Sequence, residues 1–169
     1  AVCNDIVTGK ITVSVRRITM SWSDLSSDLA ILAGSIKTES TELDNVLDLL
    51  EKNFPNSQFN IAAHSLGTMI VANEQGEHGE NFNNVYLFNP ASSAAQPDKF
   101  EAQFANMPGY QYFINHGDLV SANLVQFMNQ NTLENQVQIG DYQWSPVSAH
   151  SLSNWYPSGF GKQDGVSAQ

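Results

Sequence analysis

Cysteine is nearly missing from this chain: Cys3 is the only one in 169 residues. One cysteine forms no internal disulfide and no thiolate metal cluster, so the fold must stand on its core, and the redox compartment is left open. Long apolar runs are missing as well. None approaches the roughly 18 residues of a membrane span. Nor do the first residues show a basic patch followed by an apolar stretch, so no signal peptide is read there. Bases are scarce, with 7 Lys and Arg against 17 Asp and Glu, a formal charge of −10. That balance argues against nucleic acid and anionic membrane surfaces, which need a basic face. Low complexity, linkers and internal repeats are absent too. "AHSL" occurs at Ala63–Leu66 and again at Ala149–Leu152, but the flanks share nothing.

What remains is an ordinary globular composition, 41% hydrophobic and 10% aromatic. Its length suits one domain over residues 1–169 with a sizeable core. Strand and helix patterns alternate along it. "KITVSVRRI" sets Ile11, Val13 and Val15 against Thr12, Ser14 and Arg16, a strand period, behind a Thr8–Gly9 turn. Trp22, Leu25, Leu29 and Leu32 follow at helical spacing, with Gly34 as an expected stop. A second helix is expected from Thr41, with Leu43, Val46, Leu47, Leu50 and Phe54 on one face and Pro55 ending it. "QFNIAA", "VYLFN", "GYQYFIN" and "QVQIG" read as short strands. A helix is expected over residues 68–73 and a shorter one in "PDKFEAQFANM", while "EQGEHGENFNN" reads as a loop. Past Asp141 the chain reads mostly as loop. Short apolar strands between helices predict an α/β fold, a mostly parallel sheet with helices on both faces. In such sheets ligands sit at the carboxyl ends of the strands.

Ser65 lies where that rule matters. In "NIAAHSLGTM" an apolar strand runs into a short turn and then a helix, with the serine at the middle of the turn. A nucleophile elbow has this arrangement, and its tight backbone demands small residues two before and two after the serine. Those are Ala63 and Gly67. A serine at a helix start is also a common cap, so the motif alone leaves both readings open. A nucleophile further needs a base and an acid that orients it. In hydrolases of this architecture the order is serine, acid, histidine. Asp118 follows the strand in "YFINHGDLVS", and His150 follows in "SPVSAHSLSNWY".

Several segments together resemble the class 3 (fungal-type) lipases of the α/β-hydrolase superfamily. "RRITMSWSDLSSDL" is similar to that family's R-G-T-x-S-x-x-D-W-x-x-D-L stretch, with Ile18 at its glycine and Leu25 at its tryptophan. "IAAHSLGTM", "VYLFNPA", "YQYFINHGDLVS", "QVQIG" and "HSLSNWY" resemble its elbow, following strand, aspartate strand, last strand and histidine segment. The likeness runs from about Thr8 to Tyr156, without the family's amino-terminal helices and strand. It implies a small α/β-hydrolase fold and an ester hydrolase, lipase or carboxylesterase, with no cofactor. Ser65 is then the nucleophile, His150 the base and Asp118 its orienting acid. The backbone N–H groups of Thr19 and Leu66 form the oxyanion hole. The resemblance further implies a lipid or small-ester substrate, transient contact with a lipid interface, and secretion. Trp22, Leu25 and Leu29, with Ile31 and Leu32, fall where the family carries its active-site cover, though the same spacing also describes a packed helix.

Other residues keep plainer readings. His64 precedes the nucleophile and points away from it in an elbow. His116, two residues before Asp118, is a competing base. Glu77, His78 and Glu80 lack regular ligand spacing and read as a solvated loop, so no metal is expected. Arg17 with Asp24 or Asp28 reads as a brace for the oxyanion loop or as surface charge. Two other functions remain open: a thioesterase or acyltransferase on the same three residues, or a catalytically silent module that binds an acyl ligand or a protein.

Overall fold

The computed structural model describes residues 2–4, 10–16, 29–91, 109–115, 117–118 and 137–140, with single positions at Ala102, Ser121 and Met128. Its frame is one six-stranded sheet in sequence order. The strands are β1 (Val2–Asn4), β2 (Ile11–Arg16), β3 (Phe59–His64), β4 (Phe82–Phe88), β5 (Tyr110–Asn115) and β6 (Val137–Gly140). β1 pairs antiparallel with β2, and β2 to β6 are all parallel. Two helices are described, α1 (Leu29–Asn53) and α2 (Gly67–His78), the second followed by a 3-10 turn at Gly79–Asn81. This is an α/β fold.

Register explains the core. Val13, Ile61 and Val85 stand side by side across β2, β3 and β4, and Ala63, Leu87 and Tyr112 do so across β3, β4 and β5. All are buried, as strand alternation on one face requires. Leu43 and Leu47 of α1 and Ile70, Val71 and Ala72 of α2 join the same cluster. The two helices also pack on each other. They therefore cover one face of the sheet. On the opposite face Phe88 stacks on Phe113 at 4.7 Å between ring centres, with Tyr86 tilted beside it at 6.2 Å. The expectation of helices on that second face falls on residues outside those described.

Three readings of the sequence need correction. The chain does not break at Gly34: α1 runs as one helix of 25 residues from Leu29 to Asn53. A single glycine weakens a helix by about 1 kcal/mol and does not stop one that neighbours support. Pro55, by contrast, does end it, the Phe54 N–H closing on the Leu50 carbonyl at 2.8 Å. Second, Val46 and Phe54 are not core; they are 36% and 40% exposed, and the inward stripe is Leu43, Leu47 and Leu50. Third, "EQGEHGENFNN" is not a loop. α2 carries through it to His78, and β4 begins at Phe82.

His78 makes that last correction chemical, because it is buried rather than solvated. Its Nδ1 lies 2.8 Å from Glu51 Oε1 and its Nε2 2.9 Å from Asp44 Oδ1. Asn81 Nδ2 donates to the same Glu51 oxygen at 2.9 Å. Ser40 also donates to Glu74, a second polar tie between α1 and α2. Bases and acids scattered along the sequence thus fasten two helices together. β1 was not visible in the sequence, being only three residues long and without a period to read.

Candidate active site

The parallel strands β3, β4 and β5 end side by side, and each hands the chain to a polar residue at the same edge. After β3 comes Ser65, after β4 Asn89, and shortly after β5 Asp118. Ser65 has φ = +55°, the left-handed region, as does Asn89 at +41°. An L-residue other than glycine pays for that angle, about 1–2 kcal/mol, and asparagine tolerates it best. A serine held there is over-determined by its surroundings.

Those surroundings are visible. The Ser65 N–H donates to the Phe88 carbonyl at 3.1 Å. Its carbonyl accepts from the Thr68 N–H at 3.0 Å, the Thr68 hydroxyl at 2.6 Å and the Ala91 N–H at 3.3 Å. Gly67 lets the turn close: a β-carbon there would sit 2.6 Å from the Val15 carbonyl oxygen on β2. Ala63, two residues before the serine, is buried in the core. At Gly67 the β2 backbone leaves no room for a side chain.

Ser65 does not cap α2. The capping position is Leu66, which has helical angles and no side-chain cap bond. Ser65 stands one residue earlier, with a φ of the opposite sign from that of a capping residue. Leu66 itself is buried, and its N–H donates to no backbone carbonyl among the described residues. It faces the region beyond the amino end of α2, where unpaired N–H groups favour negative charge.

Asp118 is 2% exposed at the same edge. Its N–H donates to the Asn115 carbonyl at 3.1 Å, closing the turn through Gly117, whose φ is +93°. The Ser121 hydroxyl donates to Asp118 Oδ2 at 2.8 Å and also lies 3.1 Å from the Pro90 carbonyl. Asn89 knits β4 to β5: its N–H donates to the Phe113 carbonyl at 2.7 Å, and its Oδ1 accepts the Asn115 N–H at 2.9 Å. The stretch Asn89–Ala91 therefore touches the Ser65 turn on one side and the Asp118 network on the other.

Of the residues singled out in the sequence, Ser65, Leu66 and Asp118 are brought to one sheet edge. Thr19, Trp22, Leu25, His116, His150 and the Arg17, Asp24, Asp28 set lie outside the described residues. Leu29 opens α1, with its side chain outside them too. His64 closes β3, partly exposed, at the position whose side chain alternates away from the buried face. Sequence reading missed Asn89, Ala91 and Ser121. The first had a signal: an Asn directly after an apolar strand and before Pro90 is a residue suited to a left-handed turn. Ser121 had none.

No protein-family model matches this chain, and no curated protein matches it either. Chemically, a serine strained at a strand–helix turn, next to an N–H at a helix start that no backbone carbonyl among the described residues accepts, and two strands away from a buried carboxylate, suits nucleophilic attack on a carbonyl.

Proposed function

We propose that this protein is a serine ester hydrolase of the α/β-hydrolase fold, a lipase or carboxylesterase acting through an acyl-enzyme on Ser65. The observation that carries the reading is the +55° φ of Ser65 between β3 and α2, with Gly67 pressed against β2. An ordinary turn serine has no reason to be held there.

In this reading the Ser65 hydroxyl attacks the ester carbonyl while His150 takes its proton. His150 then returns that proton to the leaving alcohol, and water repeats the cycle on the acyl-enzyme. Asp118 fixes the tautomer of His150 and stabilises its cation. The oxyanion is held by the N–H groups of Leu66 and Thr19, each donor worth about 3–4 kcal/mol in the transition state. No step in this scheme requires a cofactor. The likeness of "RRITMSWSDLSSDL" and "IAAHSLGTM" to class 3 lipases supports lipid or small-ester substrates, contact with a lipid interface, and secretion. The acidic charge of −10 supports a neutral rather than anionic substrate surface.

A fluorophosphonate probe tests the reading, applied to wild type and Ser65→Ala together with p-nitrophenyl esters of increasing chain length. Labelling that disappears in the variant, with ester turnover in the wild type, is the expected result. A preference for long chains then points to a lipase and for short ones to a carboxylesterase. A folded wild type that neither labels nor turns over makes the chain a binding module on a hydrolase-like scaffold.

A further inference from the structure

We propose that His78, Asp44 and Asp48 form a binding site for a zinc-type divalent cation that clamps α1 to α2. One ligand atom from each of the three residues lies within 4.8 Å of the other two. Asp44 and Asp48 are four residues apart on α1, so their side chains rise from the same face one turn apart. His78 reaches them from the carboxyl end of α2.

The geometry around His78 is that of an oriented metal ligand. Glu51 Oε1 holds Nδ1 at 2.8 Å and is itself held by Asn81 Nδ2 at 2.9 Å. A carboxylate on one imidazole nitrogen fixes the tautomer and turns the other nitrogen toward a cation, the usual support for a ligating histidine. Here the other nitrogen, Nε2, faces Asp44 Oδ1 at 2.9 Å. With metal–ligand bonds of about 2.0–2.1 Å in a tetrahedral site, two adjacent ligand atoms lie about 3.3 Å apart. The Nε2–Oδ1 pair, at 2.9 Å, has to open by only about 0.4 Å to reach that separation. Asp48 is exposed, so its carboxylate swings inward without unpacking anything. One imidazole with two carboxylates suits zinc or a neighbouring transition ion better than calcium or magnesium, which take oxygen only. Water completes the coordination.

The site lies at the end of α2 opposite Ser65, so its role is structural and independent of ester hydrolysis. Its test is calorimetric titration of the chelator-treated, desalted full chain with zinc chloride at about pH 8, where zinc displaces the proton that the folded protein holds on His78. One saturable site is expected, with a zinc-dependent rise in Tm. Asp48→Asn decides the matter, since Asp48 makes neither of the His78 pairs and its loss leaves the metal-free Tm unchanged. That variant should bind zinc at least about tenfold more weakly and lose the Tm rise. No saturable binding by wild type, or equal affinity in Asp48→Asn, overturns the site. The cluster is then an ion pair alone.

Discussion

The Ala91 N–H donates to the Ser65 carbonyl at 3.3 Å, so the turn after β3 is tied to the loop after β4. One residue earlier, the Pro90 carbonyl lies 3.1 Å from the hydroxyl of Ser121, whose other contact is Asp118. Residues 56 positions apart in sequence thus share a single short bridge, which parallel neighbours make possible at their carboxyl ends. If Ser65 and Asp118 serve one reaction, this bridge holds their strands in register.

The left-handed angle at Ser65 gives a prediction with two readouts. Glycine occupies that region without penalty, so Ser65→Gly should raise stability by about 1 kcal/mol while removing every trace of probe labelling. Urea unfolding with an unchanged m-value measures the first effect. A variant less stable than wild type would mean that the hydroxyl's own contacts outweigh the strain.

Gly67→Ala acts in the other direction. The new methyl meets a backbone oxygen at 2.6 Å, and neither β2 nor the turn can yield without breaking ladder bonds. The cost should be about 1–3 kcal/mol, typical of overpacking. Ester turnover should fall further than stability explains, because the Leu66 N–H moves with the turn. Turnover equal to wild type in the folded fraction would remove Leu66 from the oxyanion hole.

Most of the frame was legible. β2 announced itself by its alternation, β3 to β6 as short apolar runs, and Ala63, Ser65 and Gly67 as a tight turn between strand and helix, because strand period and small-residue spacing are local properties. The errors come from weighing local propensity too heavily. One glycine at Gly34 costs too little to end a helix, and in "EQGEHGENFNN" the packing of α2 on α1 and the His78 clasp sustain helix to His78. The same holds for Val46, whose spacing fits the inward face while its position on α1 leaves it at the margin. Ser121 belongs to no period at all; only the fold brings its hydroxyl to Asp118.

Ser121→Ala isolates that contact. A buried hydrogen bond to a carboxylate is worth about 1.5–3 kcal/mol, and its loss removes one of the contacts that orient Asp118. In the proposed reaction kcat should fall about tenfold with KM unchanged, since Ser121 positions the acid and touches no substrate. Ser121→Thr, which keeps the hydroxyl, should restore most of the rate. A loss confined to stability, with kcat intact, would leave Ser121 as a strut between β4 and β5.

The His78 clasp sets a pH dependence in metal-free protein. Burial is the largest single influence on the imidazole and pulls its pKa down. Hydrogen bonds that the imidazole donates to Asp44 and Glu51, together with the charges of those carboxylates, outweigh it, so the pKa stands above its ordinary 6.5. A raised pKa means that the folded state holds the proton more tightly than the unfolded chain. Its contribution is therefore complete below pH 6.5 and is lost as pH rises through the higher folded value. Stability in chelator should decline from pH 6.5 toward alkaline pH, the reverse of what a paired carboxylate produces. His78→Gln should flatten the curve in that window and lower the stability at its acid end, as thermal unfolding across a pH series would show. A wild-type curve that stays flat above pH 6.5 would mean that His78 enters the folded state neutral, donating to one carboxylate only.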